Sequence, residues 1–254
     1  MTAKPLILAV ETSSRVGSVA IALGPQMLAQ TVFSGPMKHS AELFGAIAEM
    51  LARFRRKPRQ IDHVYISAGP GSFTGLRIAV TAAKMIHLAA DAKIVAVDTL
   101  DVIASNITDY IHSSPQTKVE RIATVLDAKR GRFFMAAYQL LKKPHDKKDH
   151  LIDATYAKIL PDCLMTASQF VDEFATAGPQ IHLLGDGLLY HADKFNAHRI
   201  QLLDQRYWSP RAKNVHLLGW KIALQQRFAD PLTLTPYYLR GPQIGQSRLS
   251  PKPP

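Results

Sequence analysis

The sequence predicts an α/β protein built from two similar lobes, and three observations support this class. Segments with strand-like and helix-like periodicity alternate along the chain, which is typical of sheets covered by helices. A short buried strand, a glycine-rich turn and a long helix follow one another over residues 64–90. A hairpin whose first strand ends in an acidic residue occurs twice, at Glu11 and again at Asp127, as expected for an internal repeat.

The first half begins with a hairpin and continues into an amphipathic helix. Residues 6–12 and 18–23 are predicted to form paired strands, with a weaker third strand over residues 27–33. Ser40 is the expected N-cap of a helix that ends near Phe54, before Pro58. The apolar residues of this helix recur at helical spacing and predict one broad buried face: Leu43, Phe44, Ile47, Met50, Leu51 and Phe54.

The glycine-rich stretch at residues 69–72 allows two interpretations. A strand, a glycine turn and a helix N-terminus can bind phosphate through free N–H groups and the helix dipole, or can simply connect two packed elements. The spacing matches neither a Walker A loop nor a Rossmann fingerprint. The helix predicted over residues 74–90 carries small residues that could pack against another helix, within the chain or between chains: Gly75, Ala79, Ala82, Ala83, Ala89 and Ala90.

The remaining elements continue the alternation. Asp98 and Thr99 follow a strand and are expected to cap a short helix that reaches about residue 107. The run at residues 113–115 predicts a lobe boundary. We therefore expect a first lobe over residues 1–110, a second over 111–235 and an extended basic tail over 236–254. The second lobe is predicted to contain strands at 121–126, 133–140 and 181–184, and helices at 168–175 and 215–228.

Composition narrows the function class. A hydrophobic content of 47% supports a sizeable core, and no apolar run is long enough to span a bilayer. Cys163 is the single cysteine, which excludes an internal disulfide and a cysteine-only metal site. The N-terminus lacks a signal-peptide pattern, so a cytoplasmic protein is expected. The His- and Asp-containing run at residues 142–150 predicts an exposed loop rather than a metal site.

The net charge is +11, and it is concentrated in two segments, residues 53–59 and the C-terminal part of the chain from about residue 201. Such basic segments favour contact with a polyanion such as RNA, or serve as a soluble surface. Aromatic residues are not interleaved with this charge in the manner of a common RNA-binding motif.

Six motifs in this chain resemble the bacterial TsaB (YeaZ) family. They are LAVETSS near the start, HSAELF, ISAGPGSFTGLRIAVTAAK, VDTLD, LDAKRGRFFMAAYQ and, near the end, PYYLR. The resemblance covers residues 6 to about 140 and returns at residues 236–240.

The resemblance implies the actin-like, sugar-kinase and Hsp70-like (ASKHA) fold, with duplicated α/β lobes. It also implies a non-catalytic scaffold subunit in the biosynthesis of N6-threonylcarbamoyladenosine at position 37 of tRNA. In that family the subunit pairs with and activates TsaD, its relative and the transferase, and the ATPase TsaE joins them. Contact with tRNA is expected within the complex, and a homodimer is expected when the partner is absent.

The family's pairing surface uses the two long helices of the first lobe, which correspond here to residues 40–54 and 74–90. The resemblance therefore implies eight interface residues: Leu43, Ile47, Met50, Leu51, Gly75, Ala79, Ala82 and Ala83.

The resemblance also implies which sites are missing. TsaD-like proteins bind a metal through an HxxxH pair, and the matching positions here are Thr99 and Ile103, so no metal and no catalytic residue is expected. Candidate nucleotide-binding residues come from the two hairpin turns and the glycine turn: Glu11, Ser13, Ser14, Gly69, Gly71 and Asp127. ATP or ADP could bind there, although no cofactor is expected to be required. A free-standing ATPase or small-molecule kinase, or a tRNA-binding module, are the alternatives.

Overall fold

The computed structural model describes residues 4–141 and 156–239 and confirms the predicted two-lobed α/β class. The loop predicted at 142–150 and the tail from residue 240 onward lie outside the described residues. Residues 236–239, at the start of the predicted tail, have no regular secondary structure.

The first sheet contains five strands in the order β3-β2-β1-β4-β5. Strand β1 pairs antiparallel with β2 and parallel with β4, while β5 extends the parallel side. The bounds are β1 (Leu6–Glu11), β2 (Ser18–Leu23), β3 (Gln26–Val32), β4 (His63–Gly69) and β5 (Lys93–Asp98). Four helices accompany them: α1 (His39–Arg53), α2 (Phe73–Ala90), α3 (Thr99–Ala104) and α4 (Ile107–Ser113).

The second sheet repeats this arrangement in the order β8-β7-β6-β9-β10. Strand β6 pairs antiparallel with β7 and parallel with β9, so order and direction match those of the first sheet. The bounds are β6 (Arg121–Asp127), β7 (Arg132–Leu140), β8 (Tyr156–Thr166), β9 (Ile181–Leu184) and β10 (Ile200–Leu202), with helix α5 (Ala167–Phe174) after β8. The lobes are therefore duplicates in topology, as the paired hairpins predicted.

A last helix, α6 (Ala212–Leu224), packs on the first sheet. Its residues Ala212, Val215 and Ala223 share a buried cluster with Ile7 and Tyr65. Helices α1 and α2 contribute to the cluster on the other face of that sheet. Helix α6 lies within the range predicted for the second lobe, yet it completes the core of the first. The division of the chain at residue 110 stays a prediction.

Several element ends differ from the prediction. Helix α1 begins at His39, and Ser40 is not its N-cap. Glu42 instead accepts hydrogen bonds from the backbone N–H of Ser34, at 2.8 Å, and from its hydroxyl. The capping role of Asp98 is confirmed, because its carboxylate accepts from the N–H of Leu100 at 2.7 Å. Helix α4 ends at Ser113, the first residue of the run expected to be a boundary.

The small residues of the glycine turn are required by a close approach between backbones. A Cβ on Gly75 would lie 1.8 Å from the carbonyl oxygen of Thr12, and one on Gly71 would lie 2.4 Å from that of Ser13. The Thr12 hydroxyl donates to the Gly75 carbonyl at 2.7 Å. The N–H of Ser72 donates to the Ser13 carbonyl, also at 2.7 Å. The start of α2 is therefore fastened to the turn after β1.

We expect Gly75→Ala to lower the free energy of unfolding by roughly 2 kcal/mol, because backbone atoms cannot yield to the added methyl group as a flexible side chain could. Chemical denaturation measures the change. The matched control is Gly45→Ala, also in a helix but with nothing within 4 Å of the added Cβ. It should raise stability by about 0.5–1 kcal/mol, through lower backbone entropy in the unfolded chain. Equal effects of the two substitutions would contradict this account.

Candidate functional site

A cleft of about 970 Å³ lies between the lobes. Its walls come from the turn after β1, the start of α2, the turn after β6, the 3₁₀ turn at Asp186–Tyr190, and residues 237–239. All of these segments except the last follow strand ends in one or the other sheet. In open α/β sheets, ligands usually bind at such loops beyond the carboxyl ends of parallel strands. The cleft is therefore the leading candidate for a ligand site.

A hydrogen bond across the cleft joins the two lobes. The Ser14 hydroxyl, from the first lobe, donates to the carboxylate of Asp186 in the second. The same carboxylate lies 3.4 Å from the backbone N–H of Arg15. Burial raises the pKa of Asp186, and these hydrogen bonds oppose that effect. The carboxylate thus ties the two lobes together.

Glu11 is fully buried and completely engaged within the first lobe. One of its oxygens accepts from the N–H of Ser13 at 2.6 Å and from the Ser13 hydroxyl at 2.5 Å. The other oxygen accepts from the Ser67 hydroxyl. Burial raises the pKa of Glu11, and the hydrogen bonds from the serines act in the opposite direction. The side chain therefore fixes the hairpin turn onto β4 and does not face the cleft.

Asp127 occupies the corresponding strand end of the second lobe and lines the cleft. Its carboxylate accepts from the N–H of Lys129 at 2.7 Å and from the Lys129 ammonium at 2.7 Å. Partial burial acts to raise the pKa of Asp127, but the contacts with Lys129 outweigh it and hold the pKa below its ordinary value. Asp127 is thus an ionised carboxylate whose charge is already balanced.

The structure brings most of the candidate nucleotide-binding residues together. Ser13, Ser14, Gly71 and Asp127 line the cleft, whereas Gly69 is buried beside the Tyr237 backbone. The amides of Ser13 and Lys129 are already bonded to carboxylates of their own turns. Two of the amides that a phosphate would need are therefore occupied. Nucleotide binding by these residues stays a prediction.

The eight residues expected at the partner surface are all buried within the chain. Seven of them pack in the core between the first sheet and helices α1 and α2: Leu43, Ile47, Met50, Leu51, Ala79, Ala82 and Ala83. Gly75 lies against Thr12, as described above. These side chains pack against the chain's own sheet, and their contact with a partner stays a prediction.

The apolar side chains that these helices expose are different ones. Phe44 on α1 is 50% exposed, and Met85 and Leu88 on α2 are 53% and 84% exposed. Phe44 belonged to the apolar face predicted for α1. The apolar face predicted for α1 is too wide to be buried completely by one sheet. Its width in the sequence therefore indicated that part of this face is left for contact with another surface.

A further cluster joins the lobes away from the cleft. The Lys158 ammonium, on β8, lies 2.7 Å from Asp162, 2.8 Å from Asp101 and 3.6 Å from Asp98. Burial, helped by a hydrogen bond with Asp162 and by the charge of Asp101, raises the pKa of Asp98 to about 8. One ammonium faces three carboxylates, so Asp98, the most distant, retains its proton at neutral pH. The protonated group can donate to the buried Asp162 oxygen that has no other donor in the described structure.

The positions matched to the TsaD metal pair are Thr99 and Ile103, both buried in α3. Within the part of the chain that the structure describes, no three His, Cys, Asp or Glu side chains converge so as to hold a metal ion. No helix within residues 4–141 and 156–239 is long and apolar enough to cross a membrane.

Duplicated five-stranded mixed sheets flanking a cleft define a two-lobed protein of the ASKHA class. A family model described as "TsaD: tRNA N6-adenosine threonylcarbamoyltransferase" matches residues 33–183, more than half of the chain. Together with the relatives and solved structures below, this match shows that the chain belongs to that family, as a TsaB/YeaZ-type member.

Several curated relatives carry the name tRNA threonylcarbamoyladenosine biosynthesis protein TsaB, among them one from Bacillus subtilis and one from Escherichia coli. The one from Bacillus subtilis (strain 168) is 29% identical over 133 residues, which cover 52% of this chain and 55% of the relative. The one from Escherichia coli (strain K12) is 26% identical over 133 residues, covering 52% of this chain and 54% of the relative. The matched stretch spans about half the length of these relatives.

Two solved structures from Pseudomonas aeruginosa share the fold over nearly the whole chain. One, described as an uncharacterized protein with similarity to peptidase YEAZ, aligns with a TM-score of 0.74 at 20% identity and covers 93% of this chain and 100% of that chain. The other, described as YeaZ, aligns with a TM-score of 0.71 at 19% identity and covers 92% and 100% respectively. At 19–20% sequence identity, this structural similarity shows that the chain has the same fold as these proteins.

We expect the contribution of Asp98 to the free energy of unfolding to fall as the pH rises from about 4 towards 8, because the folded chain holds the Asp98 proton more tightly than the unfolded chain does. Asp98→Asn keeps the helix cap and a donor for Asp162 and cannot ionise. The free energy of unfolding of this variant should exceed that of the wild type by about 1–2 kcal/mol at pH 9, and the difference should shrink towards pH 5. Urea denaturation across this range measures both curves.

The control for Asp98→Asn is Glu49→Gln, which removes one carboxylate from the exposed side of α1. Its stability should follow the pH curve of the wild type. A gain for Asp98→Asn that is the same at pH 5 and pH 9 would contradict the raised pKa of Asp98.

Proposed function

We propose that this chain is a non-catalytic scaffold subunit in the biosynthesis of N6-threonylcarbamoyladenosine in tRNA. In this proposal it pairs with a TsaD protein, holds it in an active arrangement, and joins TsaE in the same assembly. Membership of the TsaB/YeaZ family and the printed function of the curated relatives support the pathway.

The observation that carries the pairing role is the exposed apolar surface on α1 and α2. Phe44, Met85 and Leu88 are large apolar side chains on α1 and α2 that remain at least half exposed. Phe73, at the start of α2, is also half exposed, but it lines the cleft. Large apolar groups gathered on one part of a surface mark interaction sites. Their burial against a partner helix pair would provide much of the binding free energy.

The same surface supports self-association when the partner is absent, because two copies could cover each other's exposed apolar side chains. The helices themselves are held firmly, since the buried faces of α1 and α2 pack on the first sheet. A rigid surface loses little entropy on binding. The proposal therefore needs no rearrangement within the first lobe.

The absence of catalysis is supported by the state of the acidic residues. Glu11 is fully occupied by Ser13 and Ser67, and the charge of Asp127 is balanced by Lys129. A general base or a magnesium ligand needs a carboxylate that can reach substrate or metal. Glu11 is not presented in that way, because it is buried behind the cleft. Asp127 does face the cleft, but its carboxylate already accepts from the amide and the ammonium of Lys129.

The size of the cleft favours one second candidate, a free-standing nucleotide-binding ATPase or small-molecule kinase. About 970 Å³ is at the upper end of the range of small-ligand pockets. ATP turnover by the isolated chain that is lost in Asp127→Asn would support it. Glu11→Ala is not a suitable test, because removal of Glu11 leaves buried serine hydroxyls unpaired and destabilises the fold.

We expect the double substitution Phe44→Asp and Leu88→Asp to abolish binding to TsaD while the monomer stays folded, because both side chains are exposed and two carboxylates would have to be desolvated at the interface. Affinity should fall at least about 100-fold, measured by calorimetry with purified TsaD. Circular dichroism and thermal unfolding verify the fold.

Leu232→Asp is the matched control, since Leu232 is 90% exposed and lies outside α1 and α2. It should bind TsaD as the wild type does. Ile47→Asp would instead unfold the chain, because Ile47 belongs to the core. Normal binding by the Phe44/Leu88 variant would reject this surface as the pairing site.

Reconstitution tests the role in the pathway. Purified TsaD, TsaE, the threonylcarbamoyl-AMP-forming enzyme, ATP, threonine, bicarbonate and tRNA are combined with and without this chain. We expect modification only when the chain is present, no modification by the chain alone, and loss of modification with the Phe44/Leu88 variant. Full modification without the chain would contradict the scaffold role.

A further inference from the structure

The cleft between the lobes combines positive charge with exposed aromatic rings. Four cations line it: Arg15, Arg77, Lys129 and Arg130. Its two carboxylates, Asp127 and Asp186, are bonded to Lys129 and to Ser14 respectively. The cleft therefore carries an excess of positive charge, which suits an anionic ligand.

Two cation–aromatic pairs flank the cleft. The Arg15 guanidinium lies 5.2 Å from the ring centre of Tyr190, which is 64% exposed. The Arg77 guanidinium lies 3.8 Å from the ring centre of Phe73, which is 50% exposed. Tyr238 extends the second pair, with its ring centre 5.3 Å from that of Phe73. In each pair the guanidinium lies over one face of the ring, and Arg77 also donates to the Tyr238 hydroxyl at 3.4 Å. A base would therefore stack on the opposite face of the ring or on the guanidinium plane.

We propose that this cleft binds a segment of single-stranded RNA, with bases stacked on Phe73 and Tyr190 and phosphates held by the neighbouring cations. Proteins that bind single strands combine a positively charged groove with aromatic side chains on which successive bases stack. Duplex RNA does not fit this arrangement, because its bases are already stacked on one another and are not free to meet aromatic rings.

A free mononucleotide fits the cleft less well than a strand does. Nucleotide sites at hairpin turns hold phosphate through backbone N–H groups, and the amides of Ser13 and Lys129 are already bonded to carboxylates. The positive charge here lies on long side chains instead. The volume of about 970 Å³ also leaves room for more than one nucleotide.

The site goes beyond the proposed pairing role and does not depend on it. The exposed residues proposed to meet TsaD are on the outer faces of α1 and α2, whereas the cleft uses the first turn of α2 and loops of both lobes. The chain alone can therefore be tested for RNA binding, and its binding to TsaD is measured separately.

The test uses fluorescence anisotropy with a labelled single-stranded oligoribonucleotide of about eight nucleotides and the full chain. We expect binding that weakens by about 20-fold between about 50 and 200 mM salt if Arg15, Arg77 and Arg130 meet phosphates while Lys129 stays paired with Asp127. The charge-neutral substitution of Phe73→Ala with Tyr190→Ala should weaken binding at least tenfold. Phe73→Tyr with Tyr190→Phe should retain binding, because the rings remain.

The contribution of charge is tested by a matched pair of variants. The double variant Arg15→Gln with Arg77→Gln should bind RNA more weakly and show a smaller salt dependence. The control, Arg55→Gln with Arg56→Gln, removes the same amount of charge from the exposed segment after α1. It should change neither the affinity for RNA nor the salt dependence. Thermal unfolding verifies that all variants fold, as their exposed positions predict.

Four outcomes would overturn the proposal. They are no RNA binding by the wild-type chain, equal binding by the variant that lacks both rings, equal affinity for a duplex of the same length, and displacement of the oligonucleotide by ATP at lower concentration than by unlabelled RNA. The last would assign the cleft to free nucleotides. Because every arm uses the chain alone, none of these outcomes bears on pairing with TsaD.

Discussion

The close approach between the start of α2 and the turn after β1 is the constraint on which the rest of the first lobe depends. Gly71 and Gly75 allow the two backbones to meet, and the Thr12 hydroxyl and the Ser72 amide fasten them. Since α2 is fixed at its first turn, the direction of the whole helix is set. That direction decides which side chains enter the core and which, such as Met85 and Leu88, stay outside.

The same junction shapes the cleft, because Ser13 and Gly71 belong to its wall. Glu11 supports the junction from behind through Ser13 and Ser67. An acidic residue at this strand end is therefore structural in the first lobe, whereas its counterpart Asp127 faces the cleft. Glu11 and Asp127 thus occupy equivalent positions in the two lobes but have different roles.

Much of the fold could be predicted from local patterns in the sequence. The central strand–turn–helix and the paired hairpins were predictable because glycine turns and alternating apolar runs have distinct local signals. Strands β8 and β10 were not predicted, although the repeat offered a signal, since the first lobe has a strand at each corresponding position. Helix α6 was predicted as a helix, but its sheet could not be assigned because tertiary contacts decide where an amphipathic face packs.

The functional surfaces were harder to predict than the elements, because exposure depends on what the fold places above each side chain. Small or apolar residues on α1 and α2 could equally face a sheet or a partner, and Ile47 and Ala79 face the sheet. The two cation–aromatic pairs differ in how far the sequence could reveal them. Phe73 and Arg77 lie four residues apart on α2, a spacing that can be read from the sequence. Arg15 and Tyr190 are far apart in the chain and meet only in the folded structure.

The position of α6 has a consequence for how the chain folds during synthesis. The face of the first sheet that contains Tyr65 and Val95 is covered by residues 212–224. A ribosome therefore has to release nearly the entire chain before that face is shielded from water. Until then an apolar sheet surface is available to chaperones and to aggregation, and the late, long-range contact slows completion of the native core.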